Sequence, residues 1–185
     1  MVNNFCNKAV FLDRDGVLIK ADVIDSKPFA ITSHKAMCFV DDVEKGLKIL
    51  KNLNFLLIVV TNQPDVMTKK TSICEMNLIH NIIKSKLPID DIFVCMEVEN
   101  EYSTHYKPQP GMLKDASKKF KIDLTNSYII GDRWRDVGAG HNAGCKTILI
   151  DYNYKEKKFI KPLYSVNNFL EAVKIIKDEF MINNK

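Results

Sequence analysis

Glycine and proline are scarce in this chain, seven and six in 185 residues, which leaves no room for long disordered or low-complexity tracts. Arginine-rich runs are absent, and the net charge is only +4. So small a surplus, carried mostly by dispersed lysines, suits an anionic ligand and gives no footprint for nucleic acid. No apolar run exceeds the six residues 55–60, far short of a bilayer span. The five cysteines, at positions 6, 38, 74, 95 and 145, are odd in number and include no C-x-x-C. That excludes a disulfide framework and fits free thiols in a reducing compartment. The first eight residues carry no charged-then-apolar leader, so a cytoplasmic protein without a membrane partner is expected.

What is present is the balance of a globular protein, 46% apolar and 27% charged. Residues 1–185 read as one domain, with no repeat or linker to divide them. Short apolar runs at 9–12, 55–60, 92–95, 127–130 and 147–150 read as strands. The run at 55–60 is apolar on both faces, as in the middle of a parallel sheet. Helices are expected over 41–52, 72–86, 111–120 and 165–180. The first places Val43, Leu47 and Leu50 on one face, and Ser72 with Glu75 forms a capping box for the second. A long polar excursion occupies 20–35. The alternation predicts an α/β protein, a Rossmann-like three-layer α/β/α sandwich around a mostly parallel sheet.

In such sheets ligands bind beyond the carboxyl ends of the strands. The residues just past the expected strands are Asp13, Arg14, Asp15 and Gly16; then Thr61 and Asn62; then, across a loop, Lys107; then Asp132 and, one helical turn on, Asp136. Carboxylates gathered on one edge repel unless a hard cation such as Mg2+ neutralises them. A carboxylate also attacks phosphorus, while a hydroxyl and an ammonium hold the phosphoryl oxygens. Asp13 and Asp15, two apart in an extended segment, share a face, so one attacks while the other serves as acid. Gly16 lets the chain turn away without a side chain in the pocket.

Phe11-Leu-Asp-Arg-Asp-Gly-Val-Leu18 resembles the first motif of the haloacid dehalogenase superfamily. Val59-Val-Thr-Asn-Gln63 is similar to its second motif, Lys107-Pro-Gln-Pro-Gly-Met112 to its third, and Ile130-Gly-Asp-Arg-Trp-Arg-Asp136 to its fourth. The wording is closest to the cap-less phosphatases that act on heptose bisphosphate and histidinol phosphate. The resemblance implies Asp13 as nucleophile and Mg2+ ligand, Asp15 as acid/base with its carbonyl on the metal, and Asp132 as a further ligand. It implies Thr61 and Lys107 as phosphoryl-holding residues and Asp136 as a partner of Lys107 or of a metal-bound water. Arg14, Asn62, Tyr106 and Arg133 are the candidate substrate contacts. No gap is long enough for a large cap domain, so the pocket is expected to be open, closed in part by residues 20–35. The expected partner is a small phosphorylated sugar, and the expected state a monomer or weak dimer.

One segment departs from the pattern. Heptose bisphosphate phosphatases carry a zinc loop before the third motif, of the form C-x-H, a spacer, then C-x-C-R-K-P. Aligning Lys107-Pro108 puts Cys95, Glu97, Ser103 and His105 at the four ligand positions. Cys95 and His105 alone are good donors, so zinc is not expected. Tyr106 replaces the arginine of that pattern, and Gln63-Pro-Asp-Val departs from the commoner Gln-Ser-Gly.

Other features take plain readings. His34, His80 and His141 read as surface or packing residues, Trp134 and the thiols of Cys74 and Cys145 as packing, and Glu97, Glu99 and Glu101 as a solvated loop. Gly138, Gly140 and Gly144 read as close helix packing. A receiver domain is set aside because no aspartate lies between the third strand and Lys107. Histidinol phosphate, a polynucleotide 3′-phosphate and a catalytically altered phosphate-binding scaffold stand as alternatives.

Overall fold

The structure is a computed structural model that describes residues 7–156 and 160–183; Cys6 lies outside them. In chain order the elements are β1 (Ala9–Leu12), β2 (Asp22–Ile24), β3 (Lys27–Phe29), a 3-10 turn (His34–Ala36), α1 (Val43–Asn52), β4 (Leu56–Asn62), α2 (Ile73–Lys86) and β5 (Asp91–Cys95). They continue with α3 (Gly111–Phe120), β6 (Tyr128–Gly131), α4 (Trp134–Ala143), β7 (Lys146–Ile150), β8 (Tyr164–Val166) and α5 (Phe169–Asn183).

Six strands form one sheet in the order β5-β4-β1-β6-β7-β8, and every pair in it is parallel. Alternation along β1 explains the layers. Val10 and Leu12 face a core shared with Leu47 of α1, Ile79 of α2 and Phe169 of α5. Ala9 and Phe11 face a second core with Leu113 and Ala116 of α3 and Ala139 of α4. A sheet buried on both faces needs apolar residues at consecutive positions, as Leu57 to Val60 provide. Helices therefore cover both faces of the sheet, as expected. α4 lies especially close to it: a Cβ on Gly140 would stand 2.3 Å from Ile129 Cγ2.

Several local expectations need correction. The excursion at 20–35 holds an antiparallel hairpin, with Ile24 paired to Lys27 across Asp25 and Ser26. Both turn residues have positive φ, 51° and 62°, a conformation usually signalled by glycine, which is why the sequence concealed it. Residues 165 and 166, read as the start of the last helix, belong to the edge strand β8. The capping box is half made: Ser72 Oγ accepts from Glu75 N at 3.0 Å, but the Glu75 carboxylate accepts from His34 N at 2.6 Å. Cys74 is exposed, not packed, beside an exposed Ile73 on the outer face of α2, whereas Cys145 is buried as expected.

Candidate active site

Strands β5 and β4 lie on one side of β1, and β6, β7 and β8 on the other. The chain crosses from one side to the other after β5, and the crevice at that switch point receives the ends of three adjacent strands. β1 runs into Asp13 and Asp15, β4 ends on Thr61 and Asn62, and β6 runs into Asp132, followed by Asp136 in the first turn of α4. Lys107 arrives from the loop after β5. All seven line one cavity of about 540 Å3.

Lys107 is buried at the centre of this group. Its Nζ donates to Asp13 Oδ1 at 2.8 Å, Asp136 Oδ1 at 2.5 Å and the Val60 carbonyl at 2.9 Å. Burial opposes its charge, but Asp13 and then Asp136 outweigh burial and raise its pKa. Asn62 grips the same residue by its backbone, accepting from Lys107 N at 3.0 Å and donating to its carbonyl at 3.2 Å. Asn62 thus positions Lys107 from the cavity wall.

Asp132 is the opposite case. Both of its carboxylate oxygens are buried and without a hydrogen-bond partner among the described residues. Burial first, then the Asp13 and Asp136 charges, push its pKa well above the usual carboxylate range. Tyr154 stands near it, and burial first, then the Asp132 charge, raise the pKa of the phenol. Asp13, Asp132 and Asp136 each offer an oxygen atom within 4.8 Å of the others. An all-oxygen, acidic set with one unpartnered carboxylate fits a hard divalent cation. Gly16 makes the approach possible, because at its φ of +83° a Cβ would stand 2.0 Å from Asp132 Oδ2.

Asp136 is shared. Its second oxygen accepts from Arg133 N at 3.1 Å, and burial followed by Asp13 raises its pKa against the pull of Lys107. Asp15 is held from three directions, by Arg14 Nε at 2.8 Å, Ile31 N at 2.8 Å and Gln63 Nε2 at 3.0 Å. Gln63 also donates to Thr61 Oγ1 at 2.8 Å. It joins the two motifs, and only its place next to Thr61 and Asn62 in the sequence hinted at that.

The substrate-contact candidates separate. Arg14 does not line the cavity: it is fully buried behind Asp15, where it also donates to the Ile31 carbonyl at 3.1 Å. Tyr106 and Arg133 do line it, Arg133 paired with Glu156. Trp134, read as packing, is half-buried on the cavity wall with the Arg135 guanidinium 5.0 Å from its ring centre. Glu99, read as part of a solvated loop, is exposed and also pairs with Arg135 at 2.5 Å. Sequence reasoning missed Lys27 and Phe29 of the hairpin and Lys155 and Glu156 after β7. The latter two obey the rule that found the other site residues, since they follow a strand, but at a greater distance. Among the described residues Cys95 and His105 belong to no group of three candidate metal ligands, and His105 Nε2 contacts Asp115 Oδ2 at 2.8 Å.

Residues 105–172 match a family model described as HAD-hyrolase-like. The chain is 31% identical over 174 residues to a D-glycero-alpha-D-manno-heptose-1,7-bisphosphate 7-phosphatase of Campylobacter jejuni, covering 90% of this chain and 96% of that protein. It is 32% identical over 158 residues to a histidine biosynthesis bifunctional protein of Blochmanniella floridana, covering 81% of this chain and 43% of the other. The chain therefore spans less than half of that bifunctional relative. Its fold is similar to that of a D,D-heptose 1.7-bisphosphate phosphatase from B. bronchiseptica crystallised with magnesium and phosphate, with a TM-score of 0.79 at 21% identity, covering 93% of this chain and 99% of that one.

Proposed function

The chain belongs to the haloacid dehalogenase-like family, and from that membership we propose that it is a phosphomonoesterase in which Asp13 attacks phosphorus. The observation that carries this reading is the buried Lys107 holding one oxygen of Asp13, beside an Asp132 carboxylate without a hydrogen-bond partner among the described residues. The other oxygen of Asp13 accepts no hydrogen bond among the described residues. Lys107 orients Asp13, and its charge offsets that gathering on the phosphoryl oxygens. Asp13 Oδ forms a bond to phosphorus as the ester oxygen leaves, and a protonated Asp15 hands its proton to that oxygen. Water then attacks phosphorus, Asp15 takes its proton, and inorganic phosphate leaves with Asp13 restored. Thr61 and the Lys107 ammonium steady the phosphoryl group throughout. Asp13, Asp132 and the Asp15 carbonyl would hold a Mg2+ ion, which neutralises the acidic edge and draws charge from the phosphoryl oxygens.

The substrate we infer is a small phosphorylated sugar. Support comes from the size of the cavity, about 540 Å3, and from full-length similarity to heptose bisphosphate phosphatases. Histidinol phosphate is the second reading, favoured by the bifunctional relatives. The decisive test is Asp13→Asn: release of phosphate from an aryl phosphate in Mg2+ should fall at least about a thousandfold with an unchanged melting temperature, since an amide does not attack. Retention of more than a few per cent of activity would remove Asp13 from the role, and full activity in a chelator would remove the metal.

A further inference from the structure

Two of the cations that line the cavity are left without an ion-pair partner among the described residues. Lys107 is engaged by Asp13 and Asp136, Arg133 by Glu156 and Arg135 by Glu99. On the acidic side, Asp65 is paired with Lys70 and Glu156 is taken by Arg133. Lys27 and Lys155 line the same cavity, are exposed at its mouth, and make no ion pair among the described residues. They come from segments far apart in sequence, the hairpin and the stretch after β7. The backbone joins these segments where it matters: Lys155 N donates to the carbonyl of Ser26, the residue just before Lys27, at 2.9 Å.

Resting on the phosphatase reading, we propose that Lys27 and Lys155 form a second anion-binding subsite, which takes a phosphate or carboxylate on the substrate remote from the ester being cleaved. The cleaved phosphate sits on the floor with Asp13 and Lys107, and the second anion meets two unneutralised ammonium groups at the mouth. Two like charges on adjoining segments raise the local concentration of anions and strengthen binding where an anion bridges them. The same pair repels a substrate whose remote end is cationic. The subsite therefore selects a sugar bisphosphate or a phosphorylated sugar acid over histidinol phosphate, whose remote end is an imidazole and carries no anion.

The test compares kcat/KM for four esters: a sugar bisphosphate, a phosphorylated sugar acid, the corresponding neutral sugar monophosphate and histidinol phosphate. The native protein should favour the two esters with an anionic remote end, and K27M/K155M should lower their advantage over the monophosphate about tenfold or more, through KM. The sugar acid and the bisphosphate decide whether carboxylate or phosphate is preferred. Salt should erode the advantage in the native protein and leave the double variant flat. An unchanged ratio in the folded double variant, or a native preference for histidinol phosphate, overturns the subsite. Should native protein cleave neither these esters nor an aryl phosphate, the phosphatase reading fails. Calorimetric binding of bisphosphate against monophosphate, with and without K27M/K155M, then still reads the subsite alone.

Discussion

Arg14 lies between the two carboxylates of the first motif, yet none of its surface reaches solvent. Its guanidinium pairs with Asp15 at 2.8 Å, and its Nη1 lies 3.4 Å from His80 Nε2. A buried charge held in this way is costly to break from one side, because the partner stays buried without compensation. Arg14→Met should therefore destabilise the fold by about 3–5 kcal/mol, seen as a fall in the urea midpoint. A substrate-binding arginine would behave otherwise, raising KM in a protein of native stability, and that result would return Arg14 to the pocket. The sequence marks Arg14 only as a charged neighbour of two aspartates; which way its side chain turns depends on the cavity that Ile31 and His80 build behind the motif.

At the scale of the element, the loop between β5 and α3 stays closed through hydrogen bonds. Ser103, buried, accepts from Tyr106 N at 2.9 Å and His105 N at 3.3 Å. Thr104 Oγ1 meets His105 Nδ1 at 2.9 Å, the far side of that ring contacts Asp115 of α3, and Gly111 N donates to the Thr104 carbonyl at 2.9 Å. Cys95 is buried at the end of β5, and burial raises its thiol pKa. We expect purified, untagged protein to hold no stoichiometric zinc by mass spectrometry. Cys95→Ser should shift stability by less than about 1 kcal/mol, whereas Ser103→Ala strands two backbone donors and should cost about 1–3 kcal/mol. One zinc per chain, lost together with melting temperature in Cys95→Ser, would show that the loop keeps a metal on a poor ligand set.

For the molecule as a whole, His80 ties stability to pH. It packs from α2 into the interior, where burial first, then Arg14 and Lys84, lower its pKa from 6.5 to about 4. Below pH 6.5 the unfolded chain takes a proton that the folded chain refuses. Stability from this group therefore falls as pH drops from about 6.5 to about 4 and then levels off, by up to about 3 kcal/mol in total. His80→Gln should flatten that part of the stability curve while leaving an acceptor for Arg14. A variant that loses stability over the same window as steeply as native protein would assign the slope to other groups.

Spacing and apolar patterning determined the βα alternation, the central strands and the set of residues at their ends. Each is a local property: period-2 burial for β1, a doubly buried run for β4, and chemistry in the residues that follow a strand. Tertiary structure decided what local pattern cannot hold. The order β5-β4-β1-β6-β7-β8 sets Lys107 against Asp13 across 94 residues of sequence, and leaves Asp132 without a hydrogen-bond partner among the described residues while giving Asp136 the lysine. The hairpin's turn and the meeting of Lys155 with Ser26 likewise came only from the folded chain. Burial and pairing depend on which distant segment arrives, and a one-dimensional pattern records the residue but not its neighbour across space.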